Sequence, residues 1–270
     1  MLSLAAPVRA KEPAPSAAPA AEQSSARERG SLTGRIVVDC DDLRAARLRA
    51  LTKDPDEVLC GRNMQSESFA VNPRDDGLAN VFVYLRASPE QPAPPRAGPA
   101  PAAASPAVLG ISKGRFTPHA MALQTSQSLS ILNRDDASHA AEIFPFANAA
   151  AAQAAASKLS GGAREFQFTL PESVPFAVRC SVHPWMSAWV LVRSDPYYAI
   201  SDEHGRFEID DLPIGEATFQ FWHERAGYLS DAKIDGKNQA WPKGRATIKI
   251  APGKNELGTI HYSADRFDAK

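Results

Sequence analysis

The chain has 270 residues, a formal net charge of −1, 44% hydrophobic and 23% charged side chains, enough apolar material for one large core or two smaller ones. No stretch approaches the roughly eighteen consecutive apolar residues of a membrane span, and a pI of about 6.6 with scattered lysines and arginines excludes nucleic acid or an anionic membrane surface as a partner. Three cysteines, Cys40, Cys60 and Cys180, without a CxxC pair exclude a disulfide-dense scaffold and a zinc ribbon.

Residues 1–30 are rich in Pro, Ala, Ser and charge and predict a flexible leader. The opening MLSLAAPVRA lacks a charged start and a full apolar run, so it reads as at most the remnant of an export signal. From Ser31 the texture changes. SLTGRIVV (31–38) and LANVFVYL (78–85) alternate apolar with polar residues and favour β-branched and aromatic side chains, which predicts strands. Residues 88–106, SPEQPAPPRAGPAPAAASP, hold seven prolines without periodicity and predict a linker. Short strand candidates follow: HAMAL (119–123), LSIL (129–132), REFQFTL (164–170), VPFAVRC (174–180) and AWVLV (188–192), spaced as in a sandwich or barrel. One segment, ANAAAAQAAAS (147–157), has helix propensity but no apolar stripe, and predicts a surface helix or loop. The last third, with GRFEIDDLPIGEATFQFWHE (205–224) and RATIKI (245–250), alternates again, broken by turn residues at 202–205 and 212–215. The expected fold class is all-β.

CSVHPWM (180–186) places Cys180, His183 and Met186 at C-x2-H-x2-M between two predicted strands. Taken singly, a cysteine or methionine in such a place is a buried hydrophobe. Taken together, a thiolate, an imidazole and a thioether on one loop invite a fourth donor, and His139 in NRDDASHAAEIF follows the LSIL strand and a polar turn. Two histidines, one cysteine and a weak methionine suit copper in an electron-transfer site, since thiolate favours Cu(I) and imidazole accepts both oxidation states. Zinc more often takes four cysteines, two of each, or an open histidine-rich site.

The segment GRFTPHAMALQTSQSLSILNRDDASH, followed by CSVHPWMSAWVLV, resembles the cupredoxins, whose pattern runs f-P-i-v-G-v-f-N-D-H before a C-terminal ligand loop. The C-x2-H-P-x-M spacing is that of the short amicyanin-like loops. The resemblance implies His139, Cys180 and His183 as equatorial copper ligands and Met186 as the axial one. Two positions depart from the pattern: Ala140 stands where the family often has Asn, implying incomplete hydrogen bonding around the thiolate, and Thr125–Ser128 replace a turn glycine. The flanks, SLTGRIVVD with LANVFVYL and AISDEHGRFEIDDLPIGEATFQFWHE, resemble a carboxypeptidase-regulatory-like or transthyretin-like sandwich. The combination is similar to exported bacterial proteins labelled methylamine-utilisation-like or rhamnogalacturonan-lyase-domain.

The implied organisation is a leader (1–30), a discontinuous sandwich (31–87 plus 196–265), the linker (88–106) and an inserted cupredoxin-like Greek-key domain (107–195). The implied role is one-electron transfer in the periplasm or outside the cell, with a redox partner protein and no catalysis; no Ser-His-Asp order, phosphate loop or paired-carboxylate motif stands out. The rival expectations are a copper carrier, or a carbohydrate-binding or adhesion module with a vestigial loop. Cys40 and Cys60 leave two alternatives open, a bridge contributing about 3 kcal/mol in an exported protein or free thiols in a reducing compartment. His119 is expected as a hydrogen-bonded structural histidine, and Trp185 and Trp189 are expected to pack in the barrel end and core, with an apolar docking surface beside His183 as the alternative for Trp185. His223 and Glu224 are expected on an exposed strand, or beside the copper loop if that strand lies against it.

Overall fold

The structure, a computed structural model, describes residues 28–39, 65–86, 105–149 and 162–268. Most of the leader and the linker, Cys40, Cys60 and the larger part of the alanine-rich segment lie outside the described residues. The strands in chain order are β1 (Arg29–Asp39), β2 (Phe82–Leu85), β3 (Ala107–Ser112), β4 (Arg115–Thr117), β5 (Ala120–Gln124), β6 (Ser128–Asn133), β7 (Ala141–Ile143), β8 (Gly162–Gln167) and β9 (Phe176–Cys180). There follow β10 (Ser187–Arg193), β11 (Tyr198–Ile200), β12 (Arg206–Pro213), β13 (Gly215–His223), β14 (Gly227–Tyr228), β15 (Lys233–Ile234), β16 (Lys237–Asn238), β17 (Arg245–Ile250) and β18 (Gly253–Ser263). The fold is all-β. Among the described residues no helix is long and apolar enough to cross a membrane.

Several sequence expectations shift at their edges. Arg29 and Gly30, assigned to the leader, instead open β1, where they pair with Pro213 and Leu212 of β12. LANVFVYL supplies a strand only in its second half, because Asn80 takes φ 65°, outside the extended region, and Leu78 makes an isolated bridge to Val71. The strand β18 escaped the sequence pattern because its first half is exposed and polar. Its second half is buried by parallel pairing with β1, where Ile36 meets Ile260 and Val38 meets Tyr262.

Four sheets form two layered pairs. The orders β12-β1-β18-β15-β16 and β11-β2-β13-β14, with β17 also on β13, enclose a core that includes Leu32, Ile36, Val83, Phe219, Phe221 and Ile260. The orders β5-β10-β9-β7 and β4-β3-β6-β8 enclose a second core of Leu109, Leu123, Ile131, Phe176, Val178 and Val190. The strands of 107–193 thus pair only with one another among the described residues. From β4 to β9 each successive strand changes sheet, and the parallel pairs β3 with β6 and β5 with β10 require the crossovers of a Greek-key-like sandwich.

A third cluster joins the two layered pairs. Phe82, Tyr84 and Trp222 from one meet Ala120 and Leu191 from the other, and Trp189 packs on Trp222 with centroids 4.9 Å apart. Under this apolar contact lies a buried polar pair. The Glu224 carboxylate binds His119 Nε2 and accepts the Trp189 indole N–H at 2.9 Å. Burial alone would lower the His119 pKa, but the Glu224 hydrogen bond and charge raise it above the ordinary value. Burial alone would raise Glu224, whereas His119 holds it below the ordinary carboxylate value. The expected histidine with a hydrogen-bonding role is therefore present. The His119 contribution is complete below the unfolded histidine value of 6.5 and is lost as pH rises through the raised folded value. That of Glu224 is complete above 4.5 and is lost as pH falls through the lowered folded value.

Replacing His119 by Ala leaves Glu224 buried without its cation and should cost about 3 kcal/mol, the scale for breaking a buried pair. Thermal unfolding of H119A and the parent protein should differ most between pH 4.5 and 6.5, with the gap narrowing above that window.

Candidate metal centre

One register brings the predicted donors together. β7 and β9 run antiparallel with Ala141 opposite Cys180, so His139, two residues before Ala141, reaches the end of the strand that carries the thiol. Just beyond the ladder, Ser181 N–H donates to Ala140 C=O at 3.0 Å. The connection from Ser181 to Met186 then turns back into β10, whose Ser187 pairs with Arg179. Met186 N–H donates to His183 C=O at 3.0 Å, closing a tight turn in which Pro184 occupies the position that its fixed φ suits. Cys180 N–H donates to Met186 C=O at 3.4 Å and closes the base of the loop.

His139, Cys180 and His183 converge as a group with metal-ligand potential. His139 Nδ1 and His183 Nδ1 stand 3.0 Å apart. Cys180 Sγ lies 3.5 Å from His183 Nδ1 and 3.9 Å from His139 Nδ1. Donors held about 2.0–2.3 Å from one ion stand at most about 4.6 Å apart, so all three separations fit a shared cation. His139 is fully buried and Cys180 is 3% exposed, while His183 is half-buried at the rim. Burial and, after it, the neighbouring His183 push the His139 pKa below the ordinary histidine value, partly opposed by Asp135. His139 is thus kept neutral, with a lone pair available for a metal.

Met186 is 2% exposed and packs in the same core as Cys180. Its backbone closes the ligand loop, its C=O accepting Cys180 N–H and its N–H donating to His183 C=O. Ala140 does not leave the sulfur bare. Its own backbone N–H points at Cys180 Sγ from 3.4 Å, so the contact expected to need an asparagine side chain comes from the main chain.

One residue beside the donors, Asp135, was not assigned a role from sequence. The Asp135 carboxylate faces His139 Nε2 at 3.1 Å and also accepts Lys113 N–H at 2.6 Å and Gly114 N–H at 3.0 Å. Its signal lay in the N-x-D-x-x-x-H passage, where the aspartate was passed over for the histidine. Trp185, half-buried, has its ring 5.1 Å from that of His183, and its indole N–H donates to Gly114 C=O at 3.1 Å. It is therefore anchored rather than lying free on the surface. The outsiders sit elsewhere: Glu224 joins His119 and Trp189, and His223, expected on an exposed strand, is fully buried with its ring edge-on to Phe267. Burial lowers the His223 pKa to about 4.

No family model matches the chain, and no curated protein matches it. Among solved structures, a copper-containing nitrite reductase from Thermus scotoductus SA-01 matches at 19% identity and a TM-score of 0.27, over 40% of this chain and 25% of its own. A mutant plastocyanin of fern matches at 13% identity and a TM-score of 0.28, over 32% of this chain and 100% of its own. The Cu(I) form of an amicyanin mutant matches at 20% identity and a TM-score of 0.26, over 34% of this chain and 87% of its own. The chain spans about a quarter of the nitrite reductase it matches.

Protonation of His139 opposes both folding and metal capture. The unfolded chain takes up the proton at the ordinary value of 6.5 and the folded chain only below it, so stability falls with pH beneath that point. NMR titration of the metal-free protein should place His139 below the free-histidine value, and a His139 that titrates at or above it would contradict this account of the site.

Proposed function

We propose that the chain is a copper-binding, cupredoxin-like protein that carries single electrons in the cell envelope. In this reading His139, Cys180 and His183 would hold the copper, with Met186 as the weaker fourth donor that the ligand-loop spacing implies. Residues 107–195 form the copper domain, and 31–87 with 196–265 form the carboxypeptidase-regulatory-like sandwich that carries it. The observation that supports the reading is the convergence of a buried thiol and two imidazole nitrogens within 3.9 Å of one another, the donor set that suits a metal cycling between Cu(I) and Cu(II).

Copper supplies the one-electron redox couple. The protein supplies donors that need little movement between oxidation states. Cys180 ends a strand paired on both sides, with β7 and with β10, and its sulfur faces the Ala140 N–H. Both imidazoles present Nδ1 to the same point. Exchange with a redox partner would occur at the rim, where His183 and Trp185 are half-buried and Val182 is 47% exposed.

Titration of the purified protein with Cu(II) should produce an intense visible thiolate-to-copper band at one copper per chain, and Cys180→Ser should abolish it. A colourless protein without copper stoichiometry would remove the electron-transfer reading and leave a binding or adhesion module. Copper released on each reduction would favour a carrier instead.

A further inference from the structure

We propose that Asp135 is a positioning residue that fixes His139 as a copper ligand, and that the Lys113–Gly114 turn is the support against which it does so. The inference rests on the copper reading above and specifies how one of its ligands is held. A carboxylate can only accept hydrogen bonds, so the 3.1 Å contact from Asp135 Oδ2 to His139 Nε2 puts the ring proton on Nε2. The other nitrogen, Nδ1, is then left without a proton. That is the atom facing His183 Nδ1 and Cys180 Sγ. The opposite tautomer would present an N–H to the metal and could not bind it. Carboxylates behind ligating imidazoles act in this way across metal sites, and they also increase the basicity of the ligand.

The aspartate is itself held from two directions. Its side chain is 8% exposed, and its own N–H donates to Asn133 Oδ1 at 2.9 Å. In front of it, Lys113 and Gly114 form the two-residue connection between Ser112 and Arg115, which pair across β3 and β4. Both connecting residues have positive φ, 53° and 63°, as the hairpin turn matched to strand twist requires. Gly114 adopts this freely, whereas Lys113 does so against its side chain. The two N–H groups exposed by that backbone both donate to Asp135, which offsets the strain and points the carboxylate at His139. From the other side of the same turn, Gly114 C=O accepts the Trp185 indole. The loop bearing His139 and the loop bearing Cys180 and His183 are thus fastened to one short hairpin.

Two measurements test this. In the metal-free wild-type protein, long-range 1H–15N correlation spectra should show His139 with its proton on Nε2; a proton on Nδ1 overturns the proposal whether or not copper binds. In the loaded protein, Asp135→Asn should lower Cu(II) affinity by about 10–100-fold, measured by chelator competition. It should also move the thiolate-to-copper band and the copper hyperfine splitting while the metal-free fold is retained. A folded D135N with wild-type affinity and an unchanged spectrum overturns it. Absence of a Cys180-dependent band in the wild type would instead be the failure of the copper reading, and the tautomer measurement stands apart from it.

Discussion

The antiparallel ladder between β7 and β9 is the constraint on which the candidate centre depends. Setting Ala141 against Cys180 brings residues 41 positions apart in sequence to within a few ångströms. A slip of one residue would turn Cys180 to the opposite face of its strand, away from the core it shares with Val178 and Val190. The register is therefore fixed by hydrophobic burial before any metal is considered. The same burial favours neutral His139 and keeps water from the thiol, so one packing decision determines both the geometry of the donors and the protonation of His139.

Around that ladder, main-chain groups do much of what a side-chain pattern would be expected to do. Ala140 offers Cys180 its N–H, and the Lys113–Gly114 turn offers Asp135 two more. Backbone donors cost no rotamer entropy when they engage, unlike long side chains. They are also invisible to any reading based on residue types. A carboxylate with two fixed donors in front of it is better oriented than one held by a flexible lysine.

This explains how far the sequence was legible. Short apolar strands such as VPFAVRC and AWVLV fall within a residue or two of their observed bounds because most of their residues are buried. The soft donors were legible because Cys180 and His183 share one loop and His139 follows a strand end. The expectation about Ala140 considered only the side chain, whereas the contact to Cys180 Sγ comes from the main-chain N–H. Asp135 was missed because its importance arises from a hairpin more than twenty positions away, and no local pattern links the two. His223 was misplaced for a related reason. β13 is buried along its last five residues, and the ring that covers His223 belongs to Phe267, near the chain's C-terminal end.

The pairing of β2 with β11 has a further bearing on how the chain is assembled. Phe82 lies opposite Ile200, and Leu85 N–H donates to Tyr197 C=O at 2.8 Å, so the two ends of the intervening segment leave side by side. Closing a loop of this length is entropically slow but grows only gradually more costly with length. The outer pair of sheets also needs β1 to find β18 over more than two hundred residues, a high-contact-order step. If the strands of 107–193 collapse first around their own core, they become a compact clip that draws β2 and β11 together. The sandwich that holds His139, Cys180 and His183 would then act, during folding, as the scaffold on which the surrounding sheets are completed.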